Sequence, residues 1–179
     1  MKQGPKKRPF FDVFKMKIKV IDNLKEKTEP LDLSEAGKVA ALIRQNTLDV
    51  HQGEYHPEDL ERLVAFATPE KIQEEMKRGY LAMLITDEED LIGCVLVVRR
   101  GMKLVIKTLQ VKMNYCRKGY GSLLYERCEN LFRHMGMNEM EVEVPKFPSS
   151  EAFYLSRGFV KTGNPTQKDL SFAMFKYIR

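Results

Sequence analysis

Six consecutive residues, Arg117, Lys118, Gly119, Tyr120, Gly121 and Ser122, carry chemistry by their types and spacing. They stand between the apolar run "KLVIKTLQVKM" and the amphipathic run "GSLLYERCENLFRHMG". Glycines let a backbone turn and come close to a ligand, and the first turn of a helix exposes N–H groups with partial positive charge. A corner of this make binds an anion, most often a phosphate. It is not a nucleotide P-loop, because Lys118 precedes the glycines and no Gly-Lys-Ser/Thr follows. It is not the dinucleotide fingerprint either, which needs a glycine where Leu124 stands. Glycines that merely permit a tight turn are the plainer alternative. Cys116, beside Arg117 at a helix N-terminus, is expected to have a lowered pKa.

The elements that must position this corner are legible on both sides of it. The N-terminal "VFKMKIKVI" alternates as a strand does, and "LDLSEAGKVAALIRQ" has a cap at Asp32 or Ser34 with Val39, Leu42 and Ile43 at helical spacing. Two short helices follow, "HPEDLERLVAF" and "TPEKIQEEMKRG", each with proline in its first turn; Thr68 is the expected cap and Gly79 the expected stop of the second. "YLAMLI", the acidic turn "TDEED" and "LIGCVLVVRR" make a hairpin. After the turn at Gly101 comes the strand that leads into the corner. The helix beyond it places Leu123, Leu124, Cys128, Leu131, Phe132 and Met135 on one stripe and stops at Gly136. A strand ("MEVEV"), a short helix ("SSEAFYLSRG") and two further strands around "FVKTG" and "LSFAMFKYI" complete a mixed α/β sheet with helices on both faces.

Composition bounds the rest. With 179 residues, 43% hydrophobic and 31% charged, the chain reads as one globular domain, residues 1 to 14 being a basic lead. Cys94, Cys116 and Cys128 form neither a metal-spaced pair nor a disulfide framework, and no apolar run spans a bilayer, so a cytoplasmic protein without metal or membrane contact is expected. Residues 99 to 118 hold seven bases and no acid, whereas residues 47 to 78 hold eight acids against four bases. A basic patch serves nucleic acid, a membrane surface or a polyanionic cofactor. His51 and His56 flank Tyr55 near Glu54, Glu58 and Asp59, which would suit a cationic amine.

The corner and the second helix-strand unit together resemble the GNAT superfamily of N-acetyltransferases. The family's corner stands here as Val111, Met113, Tyr115, Cys116, Gly119 and Gly121, and its second signature as Ser150, Phe153, Tyr154, Gly158 and Phe159. The resemblance covers residues 80 to 177 well and implies a mostly antiparallel sheet of about six to seven strands. It implies acetyl-CoA as co-substrate and an amine as acceptor. The pyrophosphate would lie against residues Cys116, Arg117, Lys118, Gly119, Tyr120, Gly121 and Ser122, and the pantetheine amides against the backbone of Leu109, Gln110 and Val111. Ser150 and Phe153 would line the cofactor and Tyr154 would be the general acid. Two positions depart from the family. Cys116 replaces its usual Arg or Gln, and Phe147 its usual Asn. The strand before the corner has no glutamate to act as base, leaving Glu141 or Glu143 acting through a water. A small cationic amine is the expected acceptor, with a protein N-terminus or lysine, or a non-catalytic module binding coenzyme A or nucleic acid, as alternatives. Nucleic acid is the weaker partner class, and a homodimer is compatible with the sequence without being indicated by it.

Overall fold

Alternation along "YLAMLI" and "LIGCVLVV" places successive side chains on opposite faces of a sheet, and both faces are covered. The computed structural model describes residues 16–24, 32–51, 53, 55–145, 148–161 and 171–177. The basic lead, Glu54 and Phe147 lie outside the described residues. The elements are β1 (Met16–Asp22), α1 (Leu33–His51), α2 (Pro57–Val64), α3 (Pro69–Met76), β2 (Gly79–Thr86), β3 (Leu91–Arg100) and β4 (Lys103–Val111). After a short turn of helix at Met113–Tyr115 follow α4 (Tyr120–His134), β5 (Glu139–Pro145), α5 (Pro148–Leu155), β6 (Val160–Lys161) and β7 (Ser171–Tyr177). The sheet has seven strands in the order β1-β2-β3-β4-β5-β7-β6 among the described residues. All neighbours are antiparallel except β4 and β5.

One face carries Ala82, Leu84, Val95, Val97 and Ile106 against Leu124, Cys128 and Phe132 of α4 and Tyr154 of α5. The other carries Leu81, Met83, Cys94 and Leu96 against Val39, Ile43, Ile72 and Met76 of α1 and α3. Asp32 caps α1, its carboxylate accepting from the Ser34 N–H at 2.7 Å. Thr68 caps α3 through the Lys71 N–H at 3.3 Å, as its position before Pro69 leads one to expect. Gly79 does not end α3 but opens β2. A Cβ there would stand 2.7 Å from the Glu75 carbonyl oxygen, so the glycine permits close approach of helix and strand. Gly136 ends α4 as expected, in the left-handed region at φ 60°. Among the described residues no helix is long and apolar enough to cross a membrane.

β4 contains an irregularity that the sequence does not announce. Leu96 pairs with Thr108 while Val97 pairs with Ile106, so Lys107 is an extra residue bulged out of the ladder. A bulge bends a strand and increases its twist. The parallel pairing of β4 with β5 begins at Lys103 and Glu139 and stops at Ile106 and Val142, immediately before the bulge. Beyond that point β4 continues along β3 as far as Val111, and β5 continues along β7 as far as Pro145. The two central strands part like a wedge.

Candidate active site

The wedge opens into a cleft of about 1500 Å³. One wall is the edge of β4 from Lys107 to Val111, whose backbone groups on the β5 side have no strand to pair with among the described residues. At the end of β4 the chain turns through Cys116, Arg117 and Gly119 into α4. Arg117 and Gly119 both take positive φ, 59° and 88°. For glycine this conformation is free of the Cβ clash that any other residue suffers, and it aims the start of α4 into the cleft. The first intrahelical bond is donated by the Leu123 N–H to the Gly119 carbonyl at 3.0 Å. The N–H groups ahead of Leu123 in that turn therefore have no acceptor within the helix and carry its positive end.

Eleven of the thirteen residues expected to form the site line this one cleft: Leu109, Gln110 and Val111 from β4; Cys116, Arg117, Gly119, Gly121 and Ser122 from the corner; and Ser150, Phe153 and Tyr154 from α5. Lys118 and Tyr120 do not. The Lys118 ammonium lies 5.3 Å from the centroid of the Tyr115 ring, and the Tyr120 ring 6.3 Å from it, outside the cleft. Gly121 packs the two signatures together, since a Cβ on it would meet Phe153 Cε2 at 3.5 Å and Leu109 Cδ2 at 4.0 Å.

Cys116 corrects the sequence expectation. Its thiol donates to the carbonyls of Val111 at 3.4 Å and Lys112 at 3.5 Å, and burial pushes its pKa up despite the opposing charge of Arg117. A thiol turned back onto the strand end is protonated at neutral pH and is a poor nucleophile. Tyr154 is buried among Phe153 and Phe159, with ring centroids at 5.1 and 5.3 Å, and it still reaches the cleft. Burial, reinforced by Cys128 and Tyr125, raises its phenol above the usual value.

Three lining groups carry no motif. Arg157, just past the end of α5, donates from Nη1 to the Phe153 carbonyl at 2.8 Å and from Nη2 to Ser122 Oγ at 2.7 Å. Asn46 of α1 donates to Gln110 Oε1 at 2.7 Å and so fixes that side chain against the helix. His51, at the end of α1, is buried and lines the cleft with its ring edge-on to Tyr55 at 5.6 Å. His56 is exposed at the cap of α2 and lies outside the cleft, as do Glu58 and Asp59. Glu141 and Glu143 line it from β5, on the face opposite to Met140, Val142 and Val144.

An extended strand edge beside a helix N-terminus with two arginines suits a ligand that has a chain of amides and a pyrophosphate. The comparisons agree with this geometry. A family model described as an acetyltransferase (GNAT) domain matches residues 51–176. No curated protein sequence matches the chain. Among solved structures, the PaiA N-acetyltransferase of Thermoplasma acidophilum in complex with coenzyme A is similar with a TM-score of 0.72 at 18% identity, covering 90% of this chain and 99% of that one. A GCN5-related N-acetyltransferase of Rhodopseudomonas palustris has a TM-score of 0.68 at 18% identity, covering 84% of this chain and 94% of the other. A GNAT-family acetyltransferase of Staphylococcus aureus Mu50 has a TM-score of 0.65 at 14% identity, covering 91% and 100%. With the family model spanning most of the chain and the wedge, bulge and glycine corner in place, the protein belongs to the GNAT family of acetyltransferases, which use acetyl-CoA as co-substrate.

Proposed function

We propose that the chain, acting as a single acetyl-CoA-binding domain in the cytoplasm, transfers an acetyl group to a primary amine directly, within a ternary complex. One observation carries this reading. A single cleft runs from the Arg117 corner to the side chains of α1 and α3, so cofactor and acceptor can occupy it together. The N–H groups of the first turn of α4, with Arg117, would hold the pyrophosphate, and the open edge at Leu109, Gln110 and Val111 would pair with the amides. When bound, acetyl-CoA supplies a thioester carbonyl to the amine and a sulfur that leaves.

The chain's own groups do the rest. Tyr154 donates a proton at the departing sulfur, and its burial supports this role by keeping the phenol protonated. Ser150 and Phe153 close the α5 wall. No carboxylate stands on β4, and for the proton of the amine the cleft offers Glu143 and His51. The acceptor is inferred to be a small amine that arrives as a cation, a reading that Glu141 and Glu143 support. The three free cysteines accord with a reducing compartment.

The test is titration calorimetry of acetyl-CoA with the wild type and with Gly121→Glu, followed by assay of thiol release with amines. Micromolar binding abolished by the added carboxylate, with amine-dependent thiol release, is the expected result. Binding without transfer to any amine would favour a non-catalytic coenzyme A module instead.

A further inference from the structure

Resting on the transfer reading above, we infer that the amine acceptor also carries an anionic group, a carboxylate or a phosphate, which the basic wall of the acceptor half receives. Arg62, Lys71, Arg100 and Lys107 reach that half of the cleft from α2, α3, β3 and β4 respectively. The acids lining it, Glu141 and Glu143, both come from β5.

The compensation of these charges is uneven. Glu141 already has the Lys103 ammonium at 3.7 Å. Lys107 is engaged by Glu75 at 2.9 Å, and Arg62 by Asp59 at 3.4 Å. Lys71 donates to the Ala65 carbonyl at 2.9 Å, and among the described residues neither it nor Arg100 pairs with a carboxylate. Among the described residues the four cations of this half outnumber its two carboxylates, so its formal charge is positive. The acidic stretch of the sequence does not reverse this, because Glu58 and Asp59 are not part of the lining.

A cleft with a surplus of one sign of charge over low-dielectric walls focuses the field on its contents. Leu63, Phe66 and Val105 supply such walls here. A diamine would be repelled by this end, whereas a carboxylate or phosphate would gain charge-assisted hydrogen bonds from Lys71 and Arg100. The acceptor so described has its amine toward the β4 edge, an apolar or short body, and its anion toward α3.

Matched pairs of amines test this at saturating acetyl-CoA: tyrosine against tyramine for a carboxylate, phosphoethanolamine against ethanolamine for a phosphate, and lysine against cadaverine for a carboxylate on a diamine. The expected result is a kcat/KM about tenfold or more higher for the anionic member of at least one pair. Lys71→Ala and Arg100→Gln should remove most of that preference, leaving the rate with the member that lacks the anion and the KM for acetyl-CoA unchanged. Preference for tyramine, ethanolamine or cadaverine over their anionic partners, or no preference, overturns the inference while transfer itself stands. No amine-dependent thiol release with any amine, in protein that binds acetyl-CoA, overturns the transfer reading as well.

Discussion

Arg157 Nη2 donates to Ser122 Oγ at 2.7 Å, joining the end of α5 to the first turn of α4 across 35 residues of sequence. The same guanidinium lies 3.5 Å from the centroid of the Phe153 ring. It therefore braces both walls of the glycine corner and adds a cation to it. Arg157→Ala is expected to weaken acetyl-CoA binding about tenfold, the scale of one charge-assisted hydrogen bond. Arg157→Lys should recover only part of the loss, because an ammonium lacks the planar fork that bonds Phe153 and Ser122 at once. Calorimetric titration of the three proteins measures both effects. Equal binding by all three would mean that the arginine is only structural.

Tyr154→Phe should lower kcat by a factor of about 10² to 10⁴, the range of a positioned general acid, with little change in the KM for acetyl-CoA. Stability should hardly move, since the ring contacts with Phe153 and Phe159 survive. The wild-type rate should also show no loss assignable to this group between neutral pH and about pH 10, because burial holds the phenol protonated beyond its ordinary value. A wild-type pH–rate profile with the Phe variant as reference decides it.

Burial pushes the Cys94 thiol up to about 12 and raises that of Cys128 as well. In the unfolded chain both titrate near ~8.5. The folded state thus keeps protons that the unfolded state releases, and stability declines as pH rises above that value toward the folded pKa values. Thermal unfolding from pH 7 to 11 should show a falling midpoint. Cys94→Ala and Cys128→Ala should start lower, by about 1 kcal/mol each, and fall less steeply.

What the sequence discloses is what local chemistry dictates. The glycine corner, the short proline-led helices and the apolar strands follow from residues within a few positions of one another, and they stand where expected. The wedge does not announce itself, because it depends on Lys107 being passed over in the pairing of two strands, which no residue type at that position signals. Arg157 escapes for the same reason. Its role is set by Ser122, distant in the chain, whereas Lys118 and Tyr120 sit inside the motif and still turn away toward Tyr115. Cys116 shows the limit of reading charge from neighbours, since desolvation outweighs the adjacent Arg117.

The parallel pairing of β4 with β5 has one more consequence, in the order of folding. β2, β3 and β4 are joined by short turns, but Lys103 meets Glu139 only after the whole of α4 has been laid across the sheet. Closing that longer loop costs more chain entropy, and contacts distant in sequence form slowly. By this chain-entropy argument the hairpins of the meander are favoured to assemble before the strand crossing that opens the cleft.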